Sequence, residues 1–103
     1  MPNDITFSER FQRWSDTHSK MLAVYAQSDG AIESFPDLLQ DYERLVTESF
    51  ELALDVIKAP ARSSSDIEAK KRVWDAEEAC QWGAEEIREC MQQVMADAVE
   101  LAK

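Results

Sequence analysis

Two glycines and three prolines are spread through 103 residues, and this scarcity of turn residues limits the fold more than any other feature. A hairpin-rich β protein needs Gly, Asn, Asp or Pro at nearly every reversal, because those residues supply positive or preset φ. Helices joined by a few connections need very few of them. The expected class is all-α.

The apolar spacing points the same way. Phe7, Phe11, Trp14, His18, Met21 and Tyr25 recur at alternating intervals of four and three, the rhythm of a stripe that faces a partner helix. Thr6 and Glu9 match a capping box at its start, and Asp29-Gly30 suits its end. A second stripe (Leu38, Leu39, Tyr42, Leu45, Val46, Phe50, Ala53, Val56, Ile57) is wide enough to touch two neighbours. Ser34 and Asp37 resemble a capping pair around Pro36, and Ala59-Pro60 stops the helix. After the polar linker 61–65, Ser65 and Glu68 match another capping box. The apolar side then continues through Ile67, Val73, Trp74, Cys80, Ile87, Cys90, Met91, Val94 and Leu101. Only Gly83 weakens this segment, at about 1 kcal/mol relative to Ala.

The expected architecture is one helical domain, residues 1–103, folded as an antiparallel three-helix bundle with helices at about 6–28, 35–58 and 65–101. Its expected core holds Phe7, Phe11, Trp14, Tyr25, Leu38, Tyr42, Leu45, Phe50, Ile67, Val73, Trp74, Ile87 and Val94. Length adds a constraint. Helices of about 23 residues span about 35 Å, whereas one of about 36 residues spans about 54 Å. Roughly 15–20 Å of apolar stripe would then protrude. Either the long helix breaks at Gly83 and folds back, or a second copy covers the overhang. Because the stripe stays apolar through Val94, Met95, Ala98 and Leu101, the expectation is a homodimer with twofold symmetry.

Composition excludes several classes. A 45% hydrophobic fraction with 9% aromatics is too rich for a disordered acidic tail. No run approaches the roughly 20 apolar residues of a membrane span. Met1-Pro2-Asn3-Asp4 lacks the basic and apolar regions of a signal peptide. A cytoplasmic protein without membrane attachment is expected. The net charge of −10 argues against nucleic acid as a direct partner. The charge is uneven: residues 29–55 hold eight acids against Arg44 alone, and residues 75–102 hold eight against Arg88 alone. A basic cluster (Lys58, Arg62, Lys70, Lys71, Arg72) lies between them.

Candidate chemistry is sparse. His18, the one histidine, lies on the apolar seam without a neighbouring nucleophile, so a core or dimer-contact residue is the simpler reading. Cys80 and Cys90, on one expected helix, would stand about 15 Å apart, beyond disulfide reach. Two thiols and one imidazole fall short of a structural zinc site. The carboxylate rows Glu33, Asp37, Asp41 and Glu85, Glu89 lack the Glu-x-x-His motifs of a di-iron bundle and read as a solvated face. No catalytic residue, cofactor site or metal site is expected. Trp14 and Trp74 read as core. Trp82, to one side of the stripe and beside Gly83, is the candidate contact residue. With Gly83, Glu78, Glu85 and Glu86 it makes a surface suited to a basic protein partner.

The stretch Ile57-Lys58-Ala59-Pro60-Ala61-Arg62-Ser63-Ser64-Ser65-Asp66-Ile67-Glu68-Ala69-Lys70-Lys71-Arg72 resembles a segment of small uncharacterised helical proteins of alphaproteobacteria and their prophages. In those, a helix ends at Pro-Ala and a Ser/Thr-led cap opens another carrying Ala-Lys-x-Arg. The resemblance covers about a sixth of the chain and implies a bacterial or phage accessory protein, with no site attached. The long amphipathic helices are also loosely similar to phasins, which coat storage granules, although three Trp and two Cys fit a closed core better. The expected function is therefore a non-enzymatic accessory or regulatory protein that works through protein–protein contact as a homodimer. The first alternative is an acidic inhibitor that imitates nucleic acid, with rows of carboxylates in a phosphate-binding groove. A small enzyme or ligand binder is the less favoured second alternative.

Overall fold

The computed structural model of the protein describes residues 5–103; Met1–Asp4, and with them the reading of the N-terminus, lie outside the described residues. The described chain is all-helical and contains no strand. Its helices are α1 (Phe7–Gln27), α2 (Pro36–Lys58), α3 (Ser64–Ala76) and α4 (Ala84–Leu101), with short 3-10 turns at Ile32–Ser34 and Ala79–Gln81. Four helices replace the expected three, because the long third one is broken.

Local signals account for most of the ends. Thr6 caps α1 by accepting from the Glu9 amide at 3.1 Å, while its hydroxyl donates to the Glu9 carboxylate at 3.2 Å. Beyond α1 the Ser28 hydroxyl donates to the Tyr25 carbonyl at 2.6 Å. Asp29 and Gly30 then both take left-handed φ, 51° and 82°, a turn that Gly enters at no steric cost. Pro36 occupies the first turn of α2, where its missing N–H has no intrahelical partner to lose. The Ser34–Asp37 cap does not form: Ser34 belongs to the preceding 3-10 turn, and Phe35 is the cap residue without a side-chain bond. Ala59, extended before Pro60, ends α2.

The cap of α3 lies two residues earlier than expected. Ser63, not Ser65, accepts from the Asp66 amide at 3.2 Å, and the Asp66 carboxylate accepts from the Arg62 amide at 2.9 Å. Asp66 lies three residues after Ser63, so it completes a reciprocal cap that Glu68 was expected to provide for Ser65.

Long-range pairs define the course of the chain. Arg10 with Asp55, His18 with Ser49 and Tyr25 with Tyr42 run α1 and α2 antiparallel. Lys70 reaches the Ala59 carbonyl and Glu77 reaches Ser49, which turns α3 back along α2. Asp97 meets Lys70 and Glu89 meets Lys58, so α4 runs back beside α3 and parallel to α2. The central cluster is Trp14, Ala53, Val56, Ile57, Val73 and Cys90, drawn from all four helices. Of the expected core, Trp14, Leu45 and Val73 are buried, whereas Tyr25 is exposed and meets the Tyr42 ring at 5.5 Å.

The break falls earlier than the expected weak point. α3 ends at Ala76, where the Glu77 amide donates to the Val73 carbonyl at 3.0 Å and the Glu78 amide to that of Asp75 at 3.3 Å. Glu78 is left-handed, with φ 51°, at a cost of roughly 1–2 kcal/mol for a residue with a Cβ. Trp82 is extended and Gly83, at an ordinary φ of −61°, caps α4. A Cβ at Gly83 would meet Glu86 Oε1 at 2.7 Å, the end of a movable side chain. Since α4 folds back on α3, no long helix overhangs, and the length argument for a second copy no longer applies.

Candidate interaction surface

Glu78, Trp82, Gly83, Glu85 and Glu86 all lie at the α3–α4 reversal or in the first turn of α4. Glu78, Gly83 and Glu85 are exposed and Glu86 is half-buried. The Trp82 ring turns inward. It meets Phe50 edge-on at 5.1 Å and Trp74 at 5.8 Å, an aromatic trio at the margin of the core. Such edge-to-face pairs add about 0.5–1.5 kcal/mol beyond area burial.

A carboxylate that the sequence does not single out fastens this end of the molecule. Glu77 Oε2 accepts from Trp14 Nε1 at 2.8 Å and from the Ser49 hydroxyl, and lies 3.1 Å from His18 Nδ1. The Trp14 and His18 rings stack at 4.9 Å. One oxygen thus joins α1, α2 and the C-terminal cap of α3. The sequence signal for it was two polar residues, His18 and Ser49, on otherwise apolar stripes.

Ser, His and Glu are the residue types of a nucleophile relay, but the geometry differs. In a relay the imidazole stands between hydroxyl and carboxylate, one ring nitrogen for each. Here His18 Nδ1 faces both, at 3.2 Å from Ser49 Oγ, and the Ser49 hydroxyl donates directly to Glu77. Ser49 is 0% exposed. The cluster is built to hold helices together.

A second polar anchor lies at the other end. The Lys70 ammonium donates to the Ala59 carbonyl and to Asp97, whose other oxygen accepts from the Ala61 amide and the Gln93 side chain, each at 2.9 Å. Burial pushes the Asp97 carboxyl upward, but hydrogen bonds from Lys70, Ala61 and Gln93 outweigh it and hold the group below its ordinary value. The linker after α2 is thereby tied to α3 and α4. Burial also pushes the Cys90 thiol up. Both thiols are free, Cys80 exposed in the 3-10 turn and Cys90 buried in α4, so they lie on separate elements rather than one helix.

The outer face of α4 differs from the rest of the surface. Met95 is 67% and Val99 62% exposed, with Met91 and Leu101 also open. Between Glu89 and Glu100 the only charged residue is Asp97, and Asp97 is buried and paired. A small apolar cleft lined by Ile57, Ile67, Trp74 and Val94 adjoins this strip through Met91. No described helix is long and apolar enough to cross a membrane. Compared with family models, curated proteins and solved structures, the chain matches none of them.

Proposed function

We propose that the protein is a non-enzymatic accessory or regulatory protein of the cytoplasm that works by protein–protein contact as a homodimer, with the outer face of α4 as the interface. The observation that carries this reading is the uncharged strip of Met91, Met95 and Val99 on a chain of net charge −10. Copies of so acidic a chain repel one another over most of their surface. The α4 strip is where two copies approach without bringing carboxylates together. A twofold axis would set strip against strip, and flexible Met side chains fill such a contact well. The acidic reversal around Glu78, Glu85 and Glu86 supports steering of a basic protein partner to the assembled dimer.

Light scattering at micromolar concentration tests the reading. The expected mass is twice the 11.8 kDa of one chain. Added salt should strengthen the dimer by screening like charges. Met95→Glu should give a monomer of unchanged helicity. A wild-type monomer at high micromolar concentration and high salt would overturn the proposal.

A further inference from the structure

We infer that the α3–α4 reversal is a hinge with a second stable state, a continuous helix over residues 64–101 whose C-terminal half is exchanged with a second copy of the chain. Residues 76–82 are Ala, Glu, Glu, Ala, Cys, Gln and Trp. Gly83, which follows and caps α4, costs a continuous helix about 1 kcal/mol, but no Pro interrupts the segment, and Ala, Glu and Gln are good helix formers. Local preference therefore favours a helix where the fold makes a turn. Such conflicts between levels mark strained or functional segments.

The contacts that hold the hinge closed are tertiary: Glu77 on Trp14 and Ser49, the fully buried Ala79, and Trp82 between Phe50 and Trp74. Within the hinge, Glu78 is held left-handed, a strain that straightening relieves.

Opening need not forfeit the contacts of α4. Because α3 and α4 lie antiparallel, two straightened helices of about 57 Å can lie antiparallel across a twofold axis. Each α4 then rests on the α2 and α3 of the partner. Lys70–Asp97, Lys58–Glu89 and Ala61–Asp97 re-form between copies instead of within one. Exchange of an identical element is a low-cost route to a dimer, and hinge segments control it. This dimer differs from the face-to-face contact proposed above, since it does not use Met95 and Val99.

Single-cysteine chains test the exchange. One chain carries Lys58→Cys and the other Glu89→Cys, both with Cys80→Ser and Cys90→Ala. The two are unfolded together in urea, refolded at high concentration and treated with a short bismaleimide. Residues 58 and 89 are neighbours through the Lys58–Glu89 pair at 3.5 Å, so a mixed covalent dimer is expected only when α4 has been exchanged. Adding Glu78→Gly to both chains makes the left-handed turn free of strain and weakens the straight helix. The cross-linked yield should then fall roughly tenfold. Adding Met95→Glu to both should leave it unchanged, which separates this inference from the face-to-face dimer. Absence of a mixed dimer after co-refolding, or a yield indifferent to Glu78→Gly, would overturn the inference.

Discussion

Glu77 shows how much one side chain can organise. Its oxygen meets partners 63, 59 and 28 residues earlier in the chain, and truncating it leaves the Trp14 N–H without an acceptor and the Ser49 hydroxyl with His18 Nδ1 alone. An orphaned buried donor costs about 1–3 kcal/mol. Glu77→Ala should therefore lower unfolding free energy by about 3 kcal/mol in urea titrations, and Ser49→Ala by about 1 kcal/mol. Asp97 allows a pH test. Its folded carboxyl lies below the ordinary 3.8, so its contribution is fully present above that value and is lost as pH falls through the folded value. Wild-type stability should decline on acidification below 3.8, and Asp97→Asn should flatten that part of the profile. At neutral pH Asp97→Asn leaves the Lys70 ammonium buried without its counter-charge, a loss of about 3–5 kcal/mol. Sequence reasoning reached neither anchor, because both depend on partners that only the folded chain brings near. His18 was legible as an interior residue, but its acceptor was not.

At the scale of elements, legibility followed locality. The start of α1, its end at Asp29-Gly30 and the stop of α2 before Pro60 each depend on residues within one turn, and each is readable from the sequence. The start of α3 was ambiguous because Ser63, Ser64 and Ser65 offer three frames, and Asp66 selects the first. Ser63→Ala should cost about 1 kcal/mol, whereas Ser65→Ala should change the thermal midpoint little. The reverse ranking would restore the Ser65–Glu68 cap. The end of α3 was hidden for a different reason. The one local weak point, Gly83, marks the end of the reversal and not its start, which the buried Ala79 and the packing of the Trp82 ring against the core impose. The expected surface around Trp82 was legible as a neighbourhood. The inward turn of its ring was not, because Phe50 comes from another helix.

For the whole molecule, charge and core act in opposition. Twenty-one acids against eleven basic residues make self-repulsion a general cost of compactness, while the two buried anchors are shielded from ions. Raising salt from low to physiological concentration should therefore raise the thermal midpoint of the Met95→Glu variant by a few degrees. A flat response would mean that the surface pairs, such as Arg44 with Glu48, already offset the excess. The dimer expected from helix length loses its original basis once α4 folds back. The reason to test for one is now the chemistry of the α4 face.

The Lys70–Asp97 anchor also bears on the order in which the protein is made. Asp97 is synthesised 27 residues after Lys70 and 36 after the Ala61 amide that it also receives. At about 5–20 residues per second this is a delay on the order of seconds. In that interval the pairs within the α1–α2 hairpin, Arg10 with Asp55 and Tyr25 with Tyr42, can already form, while the lysine ammonium must stay in water. A nascent chain paused before residue 97 should thus display a formed hairpin beside an undocked α3. The finished core would be closed last, by one carboxylate arriving from the ribosome.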